Sequence, residues 1–231
     1  MMEKHLLEIV DIKDENTRTK TYYLKRPSAI DWIEGSFMHI TFDGVEPSPE
    51  TVRHMSILTL PEEDTIAFTT RIDHDTDFKQ KLSKLTVGDH LVMFKIHSHM
   101  GLRRIDKPLV FLSMGVGVAT LRPLFKAYQK NKEGIPSITH LSIDTDQPYL
   151  FENEIKGEQV QHLYVNNRQD YYNRLKESVN PDALYYVVGS DQFMKDSIKA
   201  LKEEGLQSDQ ILIDRRETTR FMYHLDDSLV F

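Results

Sequence analysis

The hydrophobic rhythm of this 231-residue chain changes once, near Lys107, and that change limits the folds open to it. Up to about residue 100, apolar and polar residues alternate in short runs, as in Met38-Ile40-Phe42, Ile66-Phe68-Thr70 and Val92-Phe94-Ile96. A period of two marks strands with one buried face. Turn-forming clusters separate the runs: Asp14-Glu15-Asn16, Ile33-Glu34-Gly35, Pro47-Ser48-Pro49, Pro61 to Asp64 and Val87-Gly88-Asp89. About six strands closing into an antiparallel Greek-key β-barrel is the expected solution, because closure removes exposed edges.

Beyond Arg103 to Pro108 the pattern becomes short apolar strands, at Leu109 to Met114, Ile138 to Ile143, Val160 to Val165, Leu184 to Val188 and Ile211 to Ile213. Helix candidates lie between them near 120–131, 149–156, 169–178 and 191–204. Strands alternating with helices imply a parallel sheet wound by right-handed crossovers, hence an α/β domain. Two domains are expected, 1–106 and 107–231. Thr120 is expected to cap the first of these helices and Ser190 the last, with Gly205 as its left-handed terminator.

Composition removes several function classes. A formal charge of -7 with no basic block leaves no evident source for the phosphate attraction behind nucleic-acid binding. Cysteine is absent, which excludes disulfides, a thiolate nucleophile, thiolate zinc sites and a cysteine-bound iron-sulfur cluster. The start, Met1 to His5, is polar, and no apolar stretch of signal-peptide length follows it. The apolar run from Leu109 to Leu121 is broken by Ser113, Gly115 and Gly117 and falls short of the roughly 20 residues that span a bilayer. A cytoplasmic location without membrane insertion is therefore expected.

Gly115 and Gly117 follow an apolar strand and precede a helix. Glycines there allow a tight turn and let a phosphate approach main-chain N–H groups at the helix start, although such turns also occur with no ligand. The wider pattern adds to this. Leu109 through Ala119 with Pro123 beyond, and Tyr186 through Met194 containing Val188-Gly189-Ser190, resemble the nucleotide-binding half of the ferredoxin-NADP reductase family. Arg53-His54-Met55-Ser56 is similar to that family's flavin motif of arginine, any residue, an aromatic, then serine or threonine. Ile33 to Phe37, Asp77 to Leu82 and Leu85 to Asp89 extend the resemblance over nearly the whole chain.

The resemblance implies a flavoprotein oxidoreductase with FAD on the barrel domain and NAD(P)H on the α/β domain, the two meeting in a cleft. Carried over by position, Arg53 would meet the flavin pyrophosphate, consistent with the bidentate donors arginine offers. His54 belongs to the same cofactor-binding motif. Met55 would lie against the isoalloxazine ring where the family has tyrosine or phenylalanine, and a thioether tolerates such a contact. Ser56, the one catalytic position implied, would hydrogen-bond near flavin N5. Asp77, Phe78 and Lys79 would offer backbone N–H groups to the second phosphate. Gly115, Val116, Gly117 and Val118, with Gly189 and Ser190, would seat the dinucleotide. No general acid or base is needed, since hydride transfer depends on positioning.

This chain also departs from the family. Ala119-Thr120 replaces threonine-proline, and Val188-Gly189-Ser190 replaces cysteine-glycine-proline, so the thiol near the nicotinamide is missing. Asp144-Thr145-Asp146 stands where phosphate-selecting members carry serine and arginine. A carboxylate such as Asp146 accepts from a ribose hydroxyl and repels a 2'-phosphate, which favours NADH, although Arg168 lies close in sequence. Phe231, or Tyr223 within the tail, would shield the flavin ring as terminal aromatics do in related reductases; packing elsewhere is the competing expectation. His97 and His99 have the spacing of a metal-binding pair but lack a third ligand nearby, so a solvated pair is expected. The expected partner is an electron acceptor, protein or small molecule. A non-catalytic nucleotide-binding or interaction module on the same fold is the alternative. An electron-transfer subunit carrying a cysteine-bound cluster is disfavoured by the absence of cysteine.

Overall fold

Six strands build the first unit: β1 (Lys4–Asn16), β2 (Thr19–Lys25), β3 (Ser36–Phe42), β4 (Arg53–Ser56), β5 (Thr65–Arg71) and β6 (His90–Ser98). The computed structural model describes residues 3–73 and 76–225, and divides into two units, Met1–Gly101 and Leu102–Phe231. The strands pair antiparallel in the order β4-β3-β6-β1-β2-β5. Just past β4, the Leu58 N–H donates to the Ala67 carbonyl of β5 at 2.7 Å, which draws the two outer strands together. The interior holds Leu7, Ile9, Tyr22, Met38, Ile40, Phe68, Leu91 and Met93. Tyr22 stacks on Phe68 at 5.2 Å and donates its hydroxyl to the Leu82 carbonyl at 3.0 Å. Leu82 belongs to a short helix, α1 (Asp77–Leu82), whose Phe78 and Leu82 enter the same core.

One expectation about this core needs correcting. The run Val92-Phe94-Ile96 does not keep one face. Phe37 pairs with His97 and His39 with Phe94, so two residues of β6 oppose one of β3. The surplus residue is a bulge at Lys95, whose φ is 55°. Leu91 and Met93 point inward before it and Ile96 packs inward after it. Phe94 and His97 consequently share the outer face despite lying three residues apart.

The second unit is a five-stranded parallel sheet in the order β11-β10-β7-β8-β9. Its strands are β7 (Leu109–Met114), β8 (Ile138–Ile143), β9 (Val160–Val165), β10 (Leu184–Val188) and β11 (Ile211–Ile213), and its helices are α2 (Val118–Lys130), α3 (Glu152–Ile155), α4 (Arg168–Glu177) and α5 (Asp191–Glu203). The strands run where the apolar segments lie. Thr120 is not a cap: a tight turn over Gly115–Gly117 feeds directly into α2 at Val118, so Thr120 is buried in the first helical turn. The helix expected from 149 begins at Glu152, because Phe151 takes a left-handed φ of 58°. Ser190 does cap α5, accepting from the Phe193 N–H at 3.2 Å. At its other end Gly205, at φ 93°, lets Leu206 N–H reach the Leu201 carbonyl and Gly205 N–H reach that of Lys202, the Schellman pattern. Among the described residues no helix is long and apolar enough to cross a membrane.

His140 on β8 lies wholly inside this unit, and burial pushes its pKa down to about 3, with His162 adding to the shift. The unfolded chain accepts a proton there near pH 6.5 and the folded chain resists it. Stability from this residue is therefore complete above about pH 6.5 and is lost as pH falls toward about 3. Denaturant titrations are expected to show about 2 kcal/mol less stability at about pH 5 than at about pH 7, and His140→Phe is expected to flatten that difference.

Candidate functional site

Strand alternation in β4 decides which of its side chains face a ligand. Met55 pairs with Met38 and Arg53 with Ile40, both inward-facing partners, whereas Ser56 pairs with Phe37 and His54 with His39 on the outer face. Met55 is consequently packed in the barrel core at 8% exposure, and His54 is exposed. Met55, expected to lie against a flat ring, is thus turned into the core, and His54 is the exposed side chain of this motif. The His54 imidazole stacks on Phe37 at 3.8 Å and 21°. His99 stacks on Phe37 at 5.2 Å, while His97 and His39 approach the same ring at 5.9 Å. His97 is exposed, as expected of a solvated pair, but it lies on β6 with His99 just past the strand. The bulge at Lys95 turns them onto Phe37, and they meet edge to face at 4.8 Å. Among the described residues no group of three or more His, Cys, Asp or Glu could hold a metal ion.

Arg53 and α1 come together on the inner side of the same strand. The Arg53 guanidinium lies 4.9 Å over the Phe78 ring, and Nη1 donates to the carbonyls of Glu50 at 2.9 Å and Val52 at 2.8 Å. Burial and, after it, the Arg53 charge together push the Lys79 ammonium down to about 8, with Asp73 opposing them. Two cations held close enough to disfavour one another form a setting that an anion relieves. The Lys79 ammonium donates to Thr70 Oγ1. Of the three backbone donors expected at Asp77, Phe78 and Lys79, the Lys79 N–H is already taken by the capping Thr76 hydroxyl at 3.3 Å.

In the second unit the strand order reverses between β7 and β10, the switch point where open α/β sheets form a crevice at their carboxyl ends. Gly115 turns the chain there with φ 55°. Gly117 allows the closest approach: a Cβ at that position would sit 2.7 Å from the Val188 carbonyl oxygen. A Cβ on Gly189 would sit 2.6 Å from the Phe193 ring and 3.1 Å from Met114 Cβ. Gly115 through Val118 and Gly189-Ser190 are therefore brought into one interlocked pair of turns. Val118 is buried and Val116 half-buried.

Asp144 and Asp146 follow β8. The buried Asp144 donates its N–H to the Val165 carbonyl at 3.1 Å, and its carboxylate accepts from the Asp146 N–H at 3.1 Å. Past β9 lies a cleft of about 450 Å³ lined by Tyr149, Tyr164, Asn166, Asp170, Arg174 and Glu177. Tyr149 stacks on Tyr164 at 4.4 Å and 19°. The motifs did not indicate this aromatic pair, since one partner comes from the segment before α3 and the other from β9.

Tyr223 is not available as a ring shield. It is buried, its hydroxyl donates to Asp191 at 2.9 Å, and Arg215 reaches both groups, at 2.8 Å and 3.1 Å. Hydrogen bonds from Arg215 and Tyr223 hold the Asp191 carboxyl below its ordinary range. The tail is in this way strapped to the first residue of α5. Phe231 lies outside the described residues.

No family model matches the chain, and no curated protein matches its sequence. Solved structures do. A ferredoxin NADP+ reductase from Neisseria gonorrhoeae with bound FAD and NADP is 15% identical, with TM-score 0.78 over 91% of this chain and 98% of that one. The ferredoxin reductase in carbazole 1,9a-dioxygenase is 14% identical, with TM-score 0.78 over 92% of this chain and 69% of that one. A ferredoxin-NADP+ reductase from Plasmodium falciparum is 13% identical, with TM-score 0.76 over 92% and 96%. The chain has a two-unit architecture of antiparallel barrel and parallel α/β sheet. That architecture is the fold of the ferredoxin-NADP reductases.

Proposed function

We propose that this chain is a flavin-dependent NAD(P)H oxidoreductase, with FAD on the barrel unit, NADH favoured on the α/β unit, and electrons passed on to a separate acceptor. The observation that carries this reading is the division of labour along β4 and α1. Arg53 and Lys79 concentrate positive charge where a pyrophosphate would be held, and His54 on Phe37 presents a flat aromatic shelf beside Ser56 on the other face of β4, so that one FAD making both contacts would pass around this edge strand. Arginine to phosphate is a charge-assisted contact, and aromatic rings favour offset stacking. The flavin, when bound, supplies the site that accepts hydride. The protein's residues position it, and no acid or base is assigned to that step.

On the second unit, Gly115 to Val118 and Gly189-Ser190 would seat the dinucleotide phosphates at the switch point, and the cleft at Tyr149 and Tyr164 would take its adenosine end. Asp144, Asp146, Asp170 and Glu177 supply carboxylates along that edge, and Arg174 is paired with Glu177 at 3.0 Å. This acidic balance supports NADH over NADPH.

Adding FAD to the purified chain is expected to give a yellow protein that bleaches anaerobically, faster with NADH than with NADPH. Protein that takes up no flavin would sink the reading in favour of a non-catalytic module. The ring seat has its own prediction. His54→Ala is expected to weaken flavin binding roughly three- to tenfold, the worth of one aromatic contact, and to lessen fluorescence quenching, whereas Met55→Leu is expected to leave both unchanged.

A further inference from the structure

Inside the α/β unit a line of four polar contacts crosses three strands. His162 Nε2 lies 3.2 Å from the Ile155 carbonyl oxygen, His162 Nδ1 lies 3.1 Å from His140 Nδ1, His140 Nε2 lies 2.9 Å from Ser113 Oγ, and Ser113 Oγ donates to Ser142 Oγ at 3.0 Å. Each contact needs one hydrogen. A carbonyl only accepts, so His162 Nε2 carries a proton. If both imidazoles are neutral, His162 Nδ1 must accept, His140 Nδ1 must donate and His140 Nε2 must accept from Ser113. The Ser113 hydroxyl is then spent, and its contact with Ser142 closes only if Ser142 turns its own hydroxyl inward. If His162 carries an extra proton, every direction reverses: His162 Nδ1 donates to His140, His140 Nε2 donates to Ser113, and Ser113 donates to Ser142, the direction its geometry favours.

We propose that His140 and His162 form a single one-proton site in which the added charge rests on His162: the His140 Nδ1 proton passes to His162 Nδ1, His140 Nε2 takes the Ser113 proton, Ser113 takes that of Ser142, and Ser142 regains one from solvent, which reverses the hydrogen-bond direction of the whole chain. His162, half-buried, carries the charge, and the enclosed His140 is the relay. His162 faces the Glu152–Lys156 ion pair at 2.9 Å and stacks on Tyr164 at 5.8 Å, with Tyr149 beyond. From α2, Phe125 packs against both imidazoles, and Arg122 holds Glu154 at 2.6 Å. Burial lowers the His162 pKa first, the Ile155 carbonyl opposes that, Lys156 lowers it again and Glu152 raises it. His140 remains neutral in both states, because only its tautomer changes. Ser113 stands two residues before Gly115 and Ser142 two before Asp144, so the proton is registered on the two strands that lead to the glycine turn and the acidic loop.

Imidazole nitrogen NMR of the full chain tests this directly. His162 is expected to titrate below its ordinary value while His140 switches from the Nδ1–H to the Nε2–H tautomer with the same midpoint. Ser142→Ala removes the acceptor that the protonated state uses, and is expected to lower that midpoint by about one pH unit, a tenfold loss of proton affinity of the size one hydrogen bond gives. A His140 that keeps one tautomer while His162 titrates overturns the proposal, as does an unchanged midpoint in Ser142→Ala. A second arm rests on the dinucleotide reading: NADH affinity is expected to follow the same midpoint. Failure there with the NMR result intact would count against the nucleotide seat and leave the proton site standing.

Discussion

Valine at position 117 is expected to abolish measurable dinucleotide binding. Gly117 has φ -56°, an ordinary helical value, so its backbone makes no demand for glycine. The demand is steric. Any Cβ there would lie 2.7 Å from the Val188 oxygen and 3.1 Å from the Val188 carbonyl carbon, and these are backbone atoms of β10 that cannot rotate aside. Relieving the overlap requires the two turns at the switch point to separate, and overpacking of this kind costs typically about 1–3 kcal/mol. Gly117→Ala is therefore expected to lower NADH affinity by about 10- to 100-fold, and Gly117→Val by more, with a lower melting temperature for the α/β unit. Gly101→Ala is a fair comparison, since its nearest neighbour would be the Ile33 side chain at 3.6 Å. Equal NADH affinity in Gly117→Ala and the parent chain would show that these turns hold no dinucleotide.

Arg53→Gln is expected to lower FAD affinity by about 10- to 100-fold, the range for losing a charge-assisted hydrogen bond or two to phosphate. Riboflavin, which carries no phosphate, is expected to bind the parent and the variant alike. That comparison matters because Arg53 also holds the Glu50 and Val52 carbonyls, and a collapse of this loop would weaken both ligands. The unliganded protein gives an independent reading. Removing the Arg53 charge is expected to raise the Lys79 pKa from about 8 toward its ordinary value, measurable by lysine NMR. A Lys79 titration indifferent to Arg53 would mean that the two cations do not share a site.

Much of the architecture could be read from the sequence because it depends on local periods. The five parallel strands occupy the five apolar runs, and the caps at Ser190 and Gly205 follow from backbone chemistry that any helix end must satisfy. Failures arose where a non-local fact decided the outcome. Met55 was aligned to an aromatic by its place in a motif, yet its pairing with Met38 sends it inward. Thr120 has the chemistry of a cap but follows a glycine turn that had already begun the helix. Tyr223 stood in a tail of unknown direction, and only the Arg215 and Asp191 contacts fix it. The Tyr149–Tyr164 pair joins a connecting segment to β9 and the His140–His162 chain joins neighbouring strands, across 15 and 22 positions, which no single-strand period encodes.

The surplus residue at Lys95 has a further consequence for how this barrel tolerates change. Its presence makes the parity of β6 differ on its two sides, so the imidazoles at 97 and 99 are outward only by virtue of an odd count. Deleting Lys95 would leave a regular ladder in which Ile96 opposes Met38 and His97 still opposes Phe37 on the outer face. Keeping every residue but flattening the bulge would instead turn His97 inward, so the left-handed backbone at Lys95 decides which side of the sheet this imidazole occupies.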